Sequence, residues 1–349
     1  MHVPKSNVFI LFFLTIILGL LTVSCSDNKS TGPAPQWRWA TFGTEDFVGG
    51  TLALTVYDGK LIAAGSRVGA WDGSSWATLI SNVSGVIGAL AVYDNKLIAA
   101  GNFTSLYTET GQEINANYIA SWDGTAWSSL GTGMDADIWG LTVWNNKLIA
   151  CGNFDNAGGT GALRIAAWDG FSWDSFGAGW NETVSELIDY NGQLFAGAGS
   201  RLIVWDGESW NLVPNSADIH QSGSTSALVI YGDRLIRGGA FIYENTEYMY
   251  IGAWDGSSWT TLGTGPDYWI YDLAVFDNKL IAAGGFTTAD GIDVNYIAAW
   301  NDTTWTSLGT GMNDVVFALE VWNNLLIASG NFTSAGEVYV PGIAAWGLQ

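Results

Sequence analysis

The segment Trp254-Asp255-Gly256-Ser257-Ser258-Trp259 decides the fold, because it is one of a series. The same Trp-Asp-Gly-x-x-Trp pattern spans Trp71–Trp76, Trp122–Trp127, Trp168–Trp173 and Trp205–Trp210. A looser copy runs from Trp300 to Trp305, and a half copy, Trp346-Gly347-Leu348-Gln349, stands at the end of the chain. Successive first tryptophans lie 51, 46, 37, 49, 46 and 46 residues apart. A period of this size marks a repeat architecture in which each unit needs its neighbours to bury its apolar faces.

Each unit reads as four strands. The first ends in Leu-x-x-aromatic, as in Leu90/Tyr93, Leu141/Trp144 and Leu273/Phe276. A two-residue turn follows, such as Asp58-Gly59, Asn145-Asn146 or Asn323-Asn324, built from residues that tolerate the positive φ of a tight hairpin. The second strand is Leu-Ile-Ala-Ala-Gly or a variant of it. The third runs into Trp-Asp-Gly, and the fourth carries the second Trp and ends near Leu-Gly-Thr-Gly. In the first strand Leu and Val alternate with small residues, as in Ala53-Leu54-Thr55-Val56, so one face is bulky and the other shallow. Setting the bulky face of one unit on the small face of the next buries both, and closing the ring removes the end faces. The expectation is an all-β, seven-bladed β-propeller of four-stranded antiparallel blades. An open stack or a β-sandwich is the alternative.

Residues 36–44 look like an orphan strand, yet Trp39-Ala-Thr-Phe-Gly-Thr44 matches the fourth strands Trp259–Thr264 and Trp305–Thr310. The last unit lacks that strand. Residues 36–44 are therefore expected to pair with Gly342–Trp346 and complete the last blade.

Leu280-Ile281-Ala282-Ala283-Gly284-Gly285, followed by Ile297–Trp300 and Trp305, resembles a kelch repeat. The likeness extends over 36–349. It departs from the pattern in placing Trp where the first aromatic is usual, and Gly-Asn or Gly-Ser in place of several Gly pairs. Bacterial exported kelch-like proteins with Trp-Asp-Gly-x-x-Trp repeats, and the repeats of fungal cortical polarity markers, are similar. The resemblance implies the propeller fold far better than it implies an activity.

Residues 1–24 read as a secretory signal: Lys5, an apolar run from Val8 to Leu21, then Thr22-Val23-Ser24. Together with Cys25 that end resembles a bacterial lipobox, which implies a lipidated Cys25 and an outer-membrane anchor. Residues 25–35, ending Pro33-Ala34-Pro35, suit a tether. The domain is then 36–349. Its one other cysteine, Cys151, takes a slot where sister segments carry Ala100 and Ala283, so it reads as a small buried group. The chain holds 33 acidic and 12 basic side chains, for a net charge of −21. Nucleic-acid phosphates would be repelled, so no such partner is expected.

Beyond the leader there is one histidine, His220, too few for a His-based metal cluster or a Ser-His-Asp arrangement. No cofactor or metal is expected. Asp72, Asp123, Asp169, Asp206 and Asp255 recur evenly, which fits turn-forming bonds to nearby amides. The features that do not repeat are the candidates for function, because binding residues tend to sit on variable loops of a rigid scaffold. The connections between units carry Asp46, Asp135, Asp137, Glu182, Asp267 and Asp314, with Trp139, Trp180 and Trp269 among the extra aromatics. They are expected to form an acidic, aromatic rim binding a sugar or a cation. Glu186, Asp272 and Glu320 interrupt the small face of the first strand and are expected in the channel. The expected role is a monomeric, non-enzymatic binding or scaffolding module for a protein or glycan. A glycoside hydrolase using the channel carboxylates is one alternative, since that reaction needs two of them about 5–9.5 Å apart. A purely structural surface protein is the other.

Overall fold

The computed structural model describes residues 36–43, 50–214, 223–243 and 247–348. The leader 1–24, Cys25, the tether 25–35, Asp46 and His220 lie outside them. Among the described residues the chain is all strand and turn, with no helix and so none long and apolar enough to cross a membrane.

The repeats fold as four-stranded antiparallel sheets of the kind that make propeller blades. The first sheet holds Ala53–Tyr57, Lys60–Ala64, Val68–Trp71 and Trp76–Ile80, and the second holds Ile87–Tyr93, Lys96–Gly101, Ile119–Trp122 and Trp127–Ser129. The third is Ile138–Trp144, Lys147–Gly152, Ile165–Trp168 and Trp173–Ser175. The fourth is Val184–Tyr190, Gln193–Ala198, Arg201–Trp205 and Trp210–Leu212. Ser224–Tyr231, Arg234–Tyr243, Glu247–Trp254 and Trp259–Thr260 make the fifth, and Ile270–Phe276, Lys279–Gly284, Ile297–Trp300 and Trp305–Ser307 the sixth. The seventh joins Val316–Trp322, Leu325–Gly330 and Ile343–Leu348 to Trp37–Thr41 from the other end of the sequence.

Trp37–Thr41 pairs with Ala344–Leu348, Trp37 opposite Leu348 and Thr41 opposite Ala344. This corrects the expected partner segment, which was 342–346. The third strand of this sheet runs on past Trp346, so the pairing sits further along it. Trp39 occupies the position of the second Trp of the repeat. Its Nε1 donates to the Leu308 carbonyl at 2.8 Å, as Trp173 does to Leu130 at 3.0 Å and Trp305 to Leu262 at 2.8 Å.

Local chemistry shapes each sheet. Asn145 (φ 48°) with Asn146 (φ 60°), and Asn323 (φ 48°) with Asn324 (φ 61°), take the left-handed conformations a twisted two-residue hairpin requires. In the Trp-Asp-Gly turns one carboxylate oxygen of Asp72 accepts the amides of Ser74 and Ser75 at 2.8 and 2.9 Å, and Asp123, Asp169, Asp206 and Asp255 repeat the pattern. These amide bonds stabilise the ionised form and hold Asp72 and Asp123 down at about 2.

The core is a set of interfaces between neighbouring sheets. The second strand Leu97-Ile98-Ala99-Ala100 gives Leu97 and Ala99 to the cluster shared with the first sheet, and Ile98 and Ala100 to the cluster shared with the third. All four are fully buried. Each face thus receives one large and one small side chain. In the first strands the bulky-on-small expectation holds: Leu319 packs with Ala274 of the preceding sheet, and Leu273 with Ala227. Burial of apolar area on this scale is the main stabilising term. Cys151 is fully buried in the cluster between the third and fourth sheets.

The first strand of each sheet packs against the first strand of the next, and that of the seventh packs against that of the first. At their far ends the aromatic side chains tie neighbours together. Tyr57 Oη donates to the Asn95 carbonyl at 3.0 Å, Tyr190 to Asp233 at 2.6 Å, and Trp322 Nε1 to Gly59 at 3.0 Å.

Candidate functional site

The first strands converge on one cavity of about 360 Å³, to which all of them contribute side chains or backbone. Its lining is set by a repeated irregularity. The ladder between first and second strands slips by one residue at Gly88, Trp139, Ser185, Ser226, Tyr271 and Phe317. A bulge of this kind leaves one residue unpaired and re-aims its side chain, and every one of these six lines the cavity.

In five of the six a glycine of the second strand stands opposite the residue before the slip, and in the fourth sheet Ala198 does. A Cβ placed on Gly152 would stand 2.0 Å from the Asp137 carbonyl oxygen, and one on Gly284 would stand 2.1 Å from that of Trp269. Those carbonyls accept the next amides of the second strand, Asn153 N at 2.8 Å and Gly285 N at 2.9 Å. Where that glycine is present its missing side chain makes room for the carbonyl, while the fourth sheet bulges at Ser185 with Ala198 in the same place.

Trp139 is 51% exposed, while Tyr271 and Phe317 are half-buried with ring centroids 5.9 Å apart and planes tilted by 59°. Glu186 and Asp272 follow the bulge residue in their strands and line the same cavity. Leu187 N donates to Glu186 Oε1 at 3.1 Å. Asp272 accepts Leu273 N at 2.7 Å and, across the junction to the seventh sheet, Leu319 N at 2.7 Å. Their tips reach the cavity and both remain half-buried by area, but the protein around them removes most of the solvating water. Burial pushes Glu186 up to about 8 and Asp272 up to about 7, with the Asp272 charge adding to the first and the Glu320 charge to the second. Glu320, expected in the channel, lies two residues beyond Ala318, the last residue of its strand to line the cavity, and is not itself among the lining residues. It accepts Val321 N at 2.8 Å, and burial raises its pKa too.

The remaining expected residues are placed differently. Asp135 accepts the amides of Asp155 and Asn156 at 2.9 and 3.0 Å and the Asn156 side-chain amide at 2.7 Å. Asp267 accepts Thr287 N and Thr288 N at 2.8 and 3.1 Å, and Asn313 does the same for Thr333 and Ser334. These three side chains are one repeated device that anchors the loop between second and third strands. Asp314 is exposed and accepts Val315 N at 2.7 Å, and Asp137 is half-buried. Trp180 packs, half-buried, against the core between the third and fourth sheets, and Trp269 is half-buried beside Ile270. Glu182 pairs with Arg201 at 2.9 Å in a groove that adjoins the cavity through Trp139, Ser185 and Ser224. Of the rim, then, Trp139 belongs to the cavity and Glu182 to its neighbouring groove. No group of three or more His, Cys, Asp or Glu side chains suited to a metal ion occurs among the described residues.

Sequence reasoning passed over Ser185, Ser226, Tyr271 and Phe317. Their signal is a variable residue two positions before a constant Leu, at Leu187, Leu228, Leu273 and Leu319. Arg237 was missed too. It replaces the alanine of Leu-Ile-Ala-Ala-Gly, is 2% exposed, and donates from Nε to Thr225 Oγ1 at 2.8 Å behind the cavity wall, with its guanidinium 4.1 Å from the centre of the Phe241 ring.

No protein-family model and no curated protein sequence matches the chain. Among solved structures it is similar in fold to the extracellular domain of BT4673 from B. thetaiotaomicron, described as a hybrid two-component system. The TM-score is 0.63 at 11% identity over 89% of this chain and 39% of that one. The extracellular domain of BT3049 from the same organism, described in the same way, gives 0.54 at 14% identity over 89% and 42%. The chain thus spans about two fifths of the length of these relatives. The computationally designed Ika8 protein gives 0.50 at 15% identity over 87% and 98%. At these identities the likeness is one of fold.

Proposed function

We propose that this chain is an exported, non-enzymatic binding module. In this reading the sheets close as a seven-bladed, kelch-like ring in which Trp37–Thr41 completes the last blade, and a protein or glycan partner binds at the bulge-lined cavity. The observation that carries the proposal is the contrast at one structural position. The frame repeats from sheet to sheet, while the residue each bulge aims into the cavity changes from Gly to Trp, Ser, Ser, Tyr and Phe. A purely structural ring has no use for such variation. The likeness in fold to two extracellular domains supports export, and the lipobox-like Thr22–Cys25 supports a lipid anchor in the outer membrane.

Hydrolysis is the weaker reading. Both oxygens of Asp272 already accept backbone amides, which gives that carboxylate a capping role at the bulge. A glycan array and a pull-down with the full chain, compared with Trp139→Ala, test the proposal. Loss of the captured partner in the variant, with an unchanged unfolding midpoint, is expected. Capture that is indifferent to Trp139→Ala and to Tyr271→Ala refutes the cavity as the binding site.

A further inference from the structure

The cavity's polar side chains are weighted towards acceptors, with the Trp139 indole N–H and the Tyr271 hydroxyl as donors. Among the described residues no Lys, Arg, His, Asn or Gln side chain lines it. Ser185 Oγ donates to the Thr225 carbonyl, Ser226 Oγ to the Ile270 carbonyl, and Ser224 Oγ to the Thr225 carbonyl. Each serine hydrogen is used within the wall, so these hydroxyls offer a ligand only lone pairs. Glu186 Oε1 takes one backbone amide, and Oε2 is a further acceptor once the carboxyl is ionised, above about pH 8. The adjoining groove differs, since Arg164 lines it and Arg201 pairs with its Glu182.

Aromatic faces complete the picture. Tyr271 and Phe317 come from the adjacent sixth and seventh sheets, and Trp139 comes from the third, which does not neighbour either. A guest in the cavity therefore meets rings from two directions, with Glu186 and Asp272 beside it. Aromatic faces attract cations, and the attraction grows when the cation is desolvated. A volume of about 360 Å³ lies within the usual range for small-molecule sites, about 300–1,000 Å³. The acids alone would not specify a guest, and the aromatics alone would accept any apolar one. Together they select a group that is both cationic and clothed in carbon.

We infer that the cavity recognises an alkylammonium group, held between Trp139 and the Tyr271–Phe317 pair with Glu186 as its charged partner. The net charge of −21 would raise the local concentration of such a cation. This inference rests on the reading of the cavity as the binding site and narrows its ligand class.

Calorimetric titration of the full-length chain with choline at pH 9, where Glu186 is ionised, and at constant ionic strength, tests it against 3,3-dimethylbutan-1-ol, the uncharged isostere. Saturable choline binding is expected, with the alcohol at least tenfold weaker. Trp139→Ala and Glu186→Gln are each expected to weaken choline about tenfold, and thermal melts of both variants confirm folding. Equal binding of choline and the alcohol overturns the ammonium inference and leaves the cavity as an apolar site. An absence of choline binding to the folded wild type also overturns it, while the capture experiment above still judges the cavity. Choline binding unaffected by either variant overturns the inference by placing choline elsewhere, and the capture experiment still judges the cavity.

Discussion

Trp39→Ala probes the most consequential contact in the fold. Trp39 is 3% exposed, lies in the cluster that contains Leu308, Met312 and Ala335, and stands 5.2 Å from the Trp346 ring. Removing a buried indole costs about 3–5 kcal/mol in lost transfer energy and residual cavity. The Leu308 carbonyl also loses its donor, which adds about 0.5–1.5 kcal/mol. Allowing for partial collapse, the expected loss is about 4–5 kcal/mol. Trp305→Ala is the matched control, because Trp305 is fully buried and donates to Leu262 in the same way, but within a sheet built from consecutive sequence. Trp37→Ala is the contrasting control. Trp37 is 40% exposed and makes ring contacts with Phe276 and Trp346, so about 1 kcal/mol is expected. Urea unfolding followed by tryptophan fluorescence and circular dichroism reads all three. If Trp39→Ala shifts the midpoint no more than Trp37→Ala does, the N-terminal strand is not an integral part of the seventh sheet.

Two further outcomes follow from the bulges and their acids. Gly284→Ala would drive a Cβ into the Trp269 carbonyl and is expected to cost about 1–3 kcal/mol in urea unfolding; a neutral result would show that this carbonyl gives way to a methyl group, as the backbone opposite Ala198 does. Glu186 and Asp272 are raised from ordinary values of 4.5 and 3.8 to about 8 and about 7, so the folded state binds protons that the unfolded state releases. The stability from these groups is present at pH 4 and is lost as the pH rises through 7 to 8. Asp272 faces Glu320, Glu186 faces Cys151 and Asp272, and Arg237 stands behind Thr225. Glu186→Gln and Asp272→Asn are therefore each expected to flatten the fall in urea midpoint between pH 4.5 and 8, and an unaltered slope in both would contradict the assignment.

Much of this molecule is legible locally. The hairpins depend on pairs such as Asn145-Asn146, and the Trp-Asp-Gly turns on a carboxylate that reaches amides two and three residues ahead, so neither needs the rest of the chain. The alternation in Ala53-Leu54-Thr55-Val56 and the run Leu97-Ile98-Ala99-Ala100 likewise state which faces must be covered. The fit of Trp39 to the fourth-strand pattern even exposed a pairing between opposite ends of the sequence. The cavity could not be read in the same way. Strict alternation assigns Tyr271 and Phe317 to a face by counting, and a one-residue bulge changes the count. Asp135 and Asp267 looked like free rim acids until the amides of Asn156 and Thr288 came to them across the loop. Hydrogen bonds within a turn are encoded by neighbours in sequence. The direction in which a bulge aims a side chain, and the company it meets there, depend on how separate sheets pack, and only the tertiary structure decides that.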